Sequence, residues 1–356
     1  MLGLMNRIQP RLAYHTLKRV GLAKCVFTLR VNPPSTTLAT AKWVDLTCGA
    51  CLLRSLCPSQ PRPSNLTMAL LSLPLSLGGL GVCRAETMRA ALSERCQMSS
   101  KDEREYHTTV DPLPLCEKAA ILSGAHRAAT RLWSDPTVPV DDACFRIATL
   151  LRAHAPVYSD STLCRCGLQA SNAHILSCGH LRGGGRIVRH DAIVRAIAVH
   201  CTAQGMTVVV EPRGTSLTSR TRPDLFIQTP LLSCMVDVTV ATPGAALTGW
   251  EHQGGAAARA AKAKHKHWDP LVSKGITFFP FAMESTGLID TEGLQLLTQL
   301  CGDHPSDIVT HLNSLEKKIC AALHRGNFYL VSSVRWGDNV MANTSRSHVA
   351  LPLTSA

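Results

Sequence analysis

The stretch from Arg222 to Val238, RPDLFIQTPLLSCMVDV, places two aspartates in an otherwise apolar sequence and decides the fold of the C-terminal half. Its β-rich runs DLFIQ and CMVDVTV are separated by TPLLS, whose Thr-Pro pair favours a turn, so the pattern predicts a β-hairpin. The midpoint between Asp224 and Asp237 falls inside that turn. A near-symmetric hairpin therefore brings the two carboxylates to opposite positions, with Cβ atoms about 5 Å apart.

Two buried carboxylates this close repel each other unless a proton or a cation lies between them. Mg²⁺ prefers oxygen ligands and retains several waters, so Mg²⁺ or the similar Mn²⁺ fits a site made by Asp224 and Asp237. Such an ion activates water and stabilises the charge that develops on a phosphodiester. The alternative is a solvated hairpin with two surface aspartates, because Val236, Val238 and Val240 point away from Asp237.

From residue 186 onward the pattern predicts one helix, three strands, a helix, a strand and two helices. This order is typical of a mixed α/β domain, here over 186–340 with a tail at 341–356. The first helix, RIVRHDAIVRAIAVH, has an apolar stripe formed by His190, Val194, Ile197 and Cys201. His190 lies at the edge of this stripe, where it either faces the carboxylates or packs as a core-edge histidine.

A nuclease site of this kind also needs a cation from the protein near the scissile phosphate, and a second helix of this domain, AARAAKAKHKHW, offers candidates. Lys262 and Lys266 are four residues apart and share one face, whereas Lys264 lies on another side. A solvated basic helix is the alternative interpretation for each of these lysines.

Upstream lies a Cys/His cluster, CRCGLQASNAHILSC, with candidate ligands at Cys164, Cys166, His174 and Cys178. Three thiolates and one imidazole suit tetrahedral Zn²⁺, and so short a segment requires the metal to fold. His180 is close enough to replace His174 or to act beside the ligands. The alternative is a group of unrelated residues in a cysteine-rich protein. We predict a zinc knuckle at 160–182.

The N-terminal half is predicted to be mainly α-helical, with a Pro/Gly-rich turn segment at LPLSLGGLGV. The helical connector at 100–158 is predicted to hold two helices, LCEKAAILSGAHRAATRLW and DDACFRIATLLRAHA. The chain has 356 residues and a formal charge of +12, which favours a polyanionic partner such as nucleic acid.

The fifteen cysteines are odd in number and irregularly spaced, which argues against a secreted disulfide scaffold. No signal peptide or membrane span is predicted, and a mitochondrial presequence is a minor alternative to an intracellular, reducing compartment.

Together, CRCG…HILSC, RHDAIVRAIA, EPRG, RPD-x12-D, the Ala/Lys helix and FFPFAMESTGL resemble the C-terminal half of site-specific non-LTR retrotransposon proteins. In that family a zinc knuckle precedes a restriction-like endonuclease related to the PD-(D/E)xK nucleases. Residues 1–95 resemble, more loosely, the thumb of such an element's reverse transcriptase. The resemblance implies nicking of double-stranded DNA in the nucleus, followed by polymerase extension of the freed end on element RNA.

By this resemblance, Asp224 and Asp237 match the metal-binding acids, and Lys264 matches the catalytic lysine, with Lys262 in reserve. Arg189 and His190 match a basic pair, and Glu211 matches an acid near the site. The resemblance and the basic charge imply nucleic-acid contacts by Arg189, Arg222 and Lys266.

The sequence contains no Tyr-x-Asp-Asp polymerase motif, so the chain is not expected to polymerise. Two functional hypotheses remain: a metal-dependent DNA-nicking endonuclease, and a catalytically decayed nucleic-acid-binding remnant of such an element. The oligomeric state is not predicted.

Overall fold

The computed structural model describes residues 9–21, 28–29, 32–56, 63–82, 84–94, 98–181, 184–212, 222–230, 232–244, 252–269, 276–301 and 305–334. Over these residues the chain is mixed α/β, with many helices and one four-stranded sheet. This confirms the α/β class of the C-terminal half and the helical character of the N-terminal half. No helix in the described part is long and apolar enough to cross a membrane.

The described residues of the N-terminal half are mainly helical. They are α1 (Pro10–Thr16), α2 (Pro34–Leu56), α3 (Asn65–Ser72), α4 (Ala85–Glu94), α5 (Met98–Thr109), α6 (Leu115–Gly124), α7 (Arg127–Ser134) and α8 (Asp142–Arg152). A π-helical turn covers Leu17–Gly21 and a 3-10 turn covers Leu75–Leu77. The predicted break in LPLSLGGLGV is confirmed, because Gly78 adopts φ +83° directly after the 3-10 turn.

One sequence prediction fails in this half. The run from Leu115 to Trp133 was expected to form a single helix, but the chain turns between α6 and α7. His126 caps the second helix, its Nδ1 accepting the N–H of Ala128 at 3.3 Å. A histidine cap is not among the usual sequence signals for a helix start, which are Ser, Thr, Asp and Asn.

The knuckle segment contains one short helix, α9 (Asn172–Ser177), and the α/β half follows. Its elements are α10 (Gly185–Ala203), β1 (Thr207–Val210), β2 (Leu225–Gln228), β3 (Ser233–Ala241), α11 (Gly255–Trp268), β4 (Thr277–Glu284), α12 (Thr291–Gln299) and α13 (Pro305–Ser332). The predicted order of helices and strands is therefore confirmed.

The sheet has the order β1-β2-β3-β4. β1, β2 and β3 pair antiparallel, whereas β3 and β4 pair parallel and are connected through α11. Successive residues of a strand point to opposite faces. On β3, Val236 and Val238 enter the core shared with α10, α12 and α13, whereas Met235 packs with Trp268 of α11. Asp237 therefore points to the α11 side of the sheet.

Candidate active site and metal centre

The register of the hairpin brings Asp224 and Asp237 together. Leu225 pairs with Val236 in the antiparallel ladder, so Asp224, directly before β2, lies opposite Asp237 on β3. Their side chains are close enough that each shifts the pKa of the other. The backbone N–H of Val238 also donates to Oδ2 of Asp224 at 2.6 Å. The predicted hairpin geometry is confirmed, and both carboxyl groups belong to one cluster.

The surface-hairpin alternative does not hold for Asp237, whose residue exposure is 7%. Val236 and Val238 are buried on the opposite face, as strand alternation requires. Asp224 is half-buried. Asp237, in the middle of β3 and facing α11, is thus withdrawn from bulk water together with the half-buried Asp224.

Burial and the adjacent Asp224 raise the pKa of Asp237 above its ordinary value, although Lys264 acts in the opposite direction. Burial also acts to raise the pKa of Asp224, but the hydrogen bond with His190 and the interaction with the Asp237 carboxyl group hold it below its ordinary value. The two carboxyl groups therefore differ in acidity, as expected for a close pair that shares a proton in the absence of a cation.

Helix α11 brings a cation and an indole to the same carboxylate oxygen. Lys264 Nζ lies 2.9 Å from Asp237 Oδ2, and Trp268 Nε1 donates to that oxygen as well. The two residues are four apart, so they share one face of the helix. Trp268 was not among the predicted site residues. Its spacing from Lys264 on an alanine-rich helix is the signal that points to it.

The other two lysines of α11 lie elsewhere. Lys262 and Lys266 are exposed to solvent, whereas Lys264 is half-buried against β3. The helix thus separates one lysine that contacts the carboxylates from two that face solvent. Among the predicted lysines, Lys264 is the one that the structure places at the acidic pair.

His190 joins the cluster from α10. Its Nε2 lies 3.0 Å from Asp224 Oδ2, and its Nδ1 lies 3.0 Å from Asp191 Oδ1. Burial acts to lower the pKa of His190, but the hydrogen bonds to these two carboxylates raise it to about 9. The prediction that His190 lies at the edge of the apolar face is confirmed, and its ring is turned toward the carboxylates.

The remaining predicted residues are placed differently. Arg189 is 1% exposed and its Nη1 donates to Asn327 Oδ1 at 2.9 Å, so it packs inside the protein and is not exposed to nucleic acid. Arg222 is exposed, directly ahead of β2. The side chain of Glu211 is exposed, although its backbone N–H donates to the carbonyl oxygen of Asp224 at 2.9 Å.

The knuckle residues form a second cluster. One ligand atom each from Cys164, Cys166, His174 and Cys178 lies within 4.8 Å of the others. The sulfurs of Cys164 and Cys178 are 3.6 Å apart, and the Cys166 sulfur is 3.2 Å from His174 Nε2. Tetrahedral Zn²⁺ with bonds of about 2.3 Å to sulfur requires ligand separations of about 3.8 Å, close to these values. This group could hold a zinc ion.

Local structure explains why these four residues converge. Gly167 adopts φ +86° and its N–H donates to the carbonyl oxygen of Cys164, which closes the turn between the two thiols. Ser171 caps α9 through the N–H of His174, placing the imidazole on the first turn and Cys178 just past the last. The backbone N–H of His180 points to the Cys178 sulfur at 3.4 Å, so His180 contributes a backbone contact to this cluster.

No model of a known protein family matches this chain. The chain is 26% identical, over an alignment of 358 residues, to the Retrotransposable element SLACS 132 kDa protein of Trypanosoma brucei gambiense, covering 94% of this chain and 29% of that protein. It is 36% identical over 99 residues to the Retrovirus-related Pol polyprotein from type-1 retrotransposable element R2 of Popillia japonica, covering 25% of this chain and 22% of that protein. The chain therefore spans less than a third of the length of these curated relatives. The relatives are non-LTR retrotransposon proteins and support a retrotransposon origin for this chain.

Proposed function

We propose that this chain is the DNA-nicking endonuclease part of a non-LTR retrotransposon protein, with a restriction-like PD-(D/E)xK domain and a zinc knuckle. The observation that carries the proposal is the pair formed by buried Asp237 and half-buried Asp224, with Lys264 at 2.9 Å from Asp237. Two convergent carboxylates and one amine are the groups that metal-dependent phosphodiester hydrolysis needs. The retrotransposon relatives provide independent support.

The donor set fits a hard divalent cation, because Asp224 and Asp237 offer carboxylate oxygens on one side of the sheet. When bound there, Mg²⁺ or Mn²⁺ would activate water and stabilise charge on a phosphodiester. His190 orients Asp224 through a 3.0 Å hydrogen bond. Trp268 orients Asp237, and Lys264 supplies a positive charge next to the scissile phosphate.

The partner we propose is double-stranded DNA, with element RNA as a second nucleic-acid ligand, in the nucleus. The net charge of +12 supports a polyanionic partner, and the low aromatic content of 4% favours phosphate contacts over base stacking. Exposed Lys266 and Arg222 are the proposed contacts. The knuckle is proposed to hold Zn²⁺ and to bind nucleic acid.

One observation favours the alternative of a non-catalytic binding remnant. Oδ2 of Asp237 already accepts from both Lys264 and Trp268, so a cation has to compete with these donors for that oxygen. Each carboxyl group also has a second oxygen with which it can bind the cation. For this reason the nuclease is the first proposal.

The test is a nicking assay on supercoiled DNA with zinc-loaded protein and added Mg²⁺ or Mn²⁺. The wild type should convert supercoiled DNA to open circles, and both Asp224→Asn and Asp237→Asn should lose this activity. DNA affinity should stay within a few-fold, because these carboxyl groups hold the ion and not the phosphate backbone. A wild type that binds DNA but does not nick it with either ion would establish the binding remnant instead.

A further inference from the structure

The helix that carries Lys264 has an unusual beginning. The residue before α11 is Gly254, which adopts φ +75° and has no side chain with which to cap the helix. Ala256 and Ala257 in the first turn are buried, so water cannot reach their N–H groups freely. Because buried backbone N–H groups need acceptors, the cap has to come from another part of the fold.

Glu284 supplies that cap from the end of β4. Its side chain is fully buried, and its Oε1 accepts the N–H groups of Ala256 at 3.1 Å and Ala257 at 3.3 Å. A carboxylate at a helix N-terminus also interacts favourably with the helix dipole. The cap is therefore a carboxyl group fixed to the central sheet, and burial raises its pKa above the ordinary value.

A second polar group fixes the same end of α11 from the N-terminal half. Ser123, on α6, accepts the N–H of Gly254 at 3.2 Å, and its hydroxyl acts against the burial that raises the pKa of Glu284. Gln253 donates to the carbonyl oxygen of Leu122 at 2.8 Å. The start of α11 is thus held between the sheet and the helical half.

The distance from Glu284 to Asp237 along the sheet matches the distance from Ala256 to Lys264 along α11. Ala241 of β3 pairs with Glu284, so Asp237 lies four residues back along β3, about 13 Å at 3.3 Å per residue. From Ala256 to Lys264 the helix advances eight residues, about 12 Å at 1.5 Å per residue. A helix anchored at Glu284 therefore presents Lys264 at the level of Asp237.

We propose that Glu284 is a positioning residue for Lys264: it fixes the start of α11 to the sheet so that the amine reaches the Asp237 carboxylate. The inference rests on the proposed function of the carboxylate site. A purely structural cap would stabilise the protein without controlling where Lys264 lies, and the two roles are separable by experiment.

The first experiment measures amine reactivity, which does not depend on nuclease activity. The intact protein is labelled with a limiting amine-acylating reagent, and the modification rate of each lysine is measured by mass spectrometry. Lys262 and Lys266 are exposed controls on the same helix. Lys264 should react several-fold more slowly than these controls in the wild type. Glu284→Ala should raise its rate to theirs, whereas Glu284→Gln, which keeps an acceptor oxygen, should retain most of the protection.

The matched control is Asp141→Ala. Asp141 caps α8, accepting the N–H of Cys144 at 2.7 Å, in the helical half away from Lys264. Its loss should lower the stability of the protein without changing the Lys264 rate. If Glu284→Ala does not fold, Ser123→Ala is the milder variant and should give a smaller increase. An unchanged Lys264 rate in a folded Glu284→Ala or Ser123→Ala protein would overturn the proposal.

The second experiment is a double-mutant cycle on the nicking rate with Glu284→Ala and Lys264→Ala. If Glu284 acts through Lys264, Glu284→Ala should slow the wild type but have little further effect on Lys264→Ala. Equal slowing in both backgrounds would contradict a positioning role while leaving the nuclease proposal intact. A wild type that does not nick would remove the nuclease proposal, and the labelling rates would still decide whether Glu284 positions Lys264.

Discussion

Lys264 and Lys262 lie two residues apart on α11, and the structure gives them different environments. Lys264 donates to Asp237, whereas Lys262 is exposed. Replacing Lys264 by methionine should lower the nicking rate by about 100-fold, the size expected for loss of one charged group at a reacting phosphate. Lys262→Met should stay within a few-fold of the wild type in the same assay. Equal losses would mean that the lysines act only by attracting DNA.

Buried histidines make the stability of the protein depend on pH. Burial, with a smaller effect of Arg152, lowers the pKa of His324 from the ordinary 6.5 to about 4. The folded state therefore keeps His324 neutral, while the unfolded state binds a proton below about pH 6.5. Its contribution to stability is complete above pH 6.5 and is lost as the pH falls toward 4.

Comparing the wild type with His324→Leu isolates this effect from the other consequences of acid, including release of the proposed zinc ion, which both proteins share. Between pH 6.5 and 4 the free energy of unfolding should fall more steeply in the wild type, by up to about 1.4 kcal/mol per pH unit. Denaturant unfolding at a series of pH values measures the difference. Parallel curves for the two proteins would contradict the account of His324.

At the residue scale, the acidic pair follows from the sequence because hairpin symmetry alone places Asp224 opposite Asp237. The contacts of Trp268 and Glu284 cannot be predicted from the local sequence in this way. Their partners lie 31 and about 28 residues away along the chain, respectively, and depend on how α11 lies on the sheet. Arg189 shows the converse, since a basic residue predicted at the surface lies between α10 and α13 with Asn327 as its partner.

At the element scale, the knuckle is part of a larger core. Cys164, Ile175 and Cys178 pack within the hydrophobic cluster of the N-terminal half. Zinc removal or Cys178→Ser should therefore loosen the knuckle and destabilise that half while the hairpin remains folded. DNA affinity should fall, whereas the nicking rate at saturating DNA should stay within a few-fold of the wild type.

Fluorescence anisotropy for binding and single-turnover nicking separate these two effects. The matched control is Cys144→Ser, because Cys144 is buried in the same core but lies outside the ligand cluster. Equal loss of binding in Cys144→Ser and Cys178→Ser would indicate general destabilisation of the core. Loss of nicking at saturating DNA in Cys178→Ser would mean that the knuckle and the nuclease part fold as one unit.

The order of elements from α10 to α13 was predictable because each strand and helix has a distinct period and clear turn residues. The split between α6 and α7 was not, since the sequence there continues a helical pattern through Gly124 and His126. Tertiary packing decides this break: Arg152 donates to the carbonyl oxygen of Gly124 at 2.8 Å from α8. A local pattern contains no information about that distant guanidinium.

At the scale of the whole molecule, α13 joins the two main cores. Leu330 is buried in the core of the N-terminal half, and Leu315 and Leu323 are buried in the core beneath the sheet. Leu323→Ala should lower the stability by about 2–5 kcal/mol, as for other buried leucines. Because one helix belongs to both cores, the loss should reach the N-terminal half as well.

Thermal unfolding followed by two probes tests this coupling. The first is fluorescence of Trp133, in the N-terminal core, in a background whose other four tryptophans are replaced by phenylalanine. The second is far-UV circular dichroism, which reports on the whole chain. Both transitions should move down together in Leu323→Ala. If the transition temperature from Trp133 fluorescence is unchanged while that from circular dichroism falls, the cores unfold independently.

The account depends above all on Asp224 and Asp237 forming a divalent-cation site. The most direct test is Mn²⁺ binding to zinc-loaded protein, followed by electron paramagnetic resonance of the free ion, with wild type and Asp237→Asn compared in parallel. The account predicts one Mn²⁺ site in the wild type that Asp237→Asn loses while its zinc content stays the same. Equal Mn²⁺ binding by the two proteins, or none by the wild type with DNA present, would contradict it.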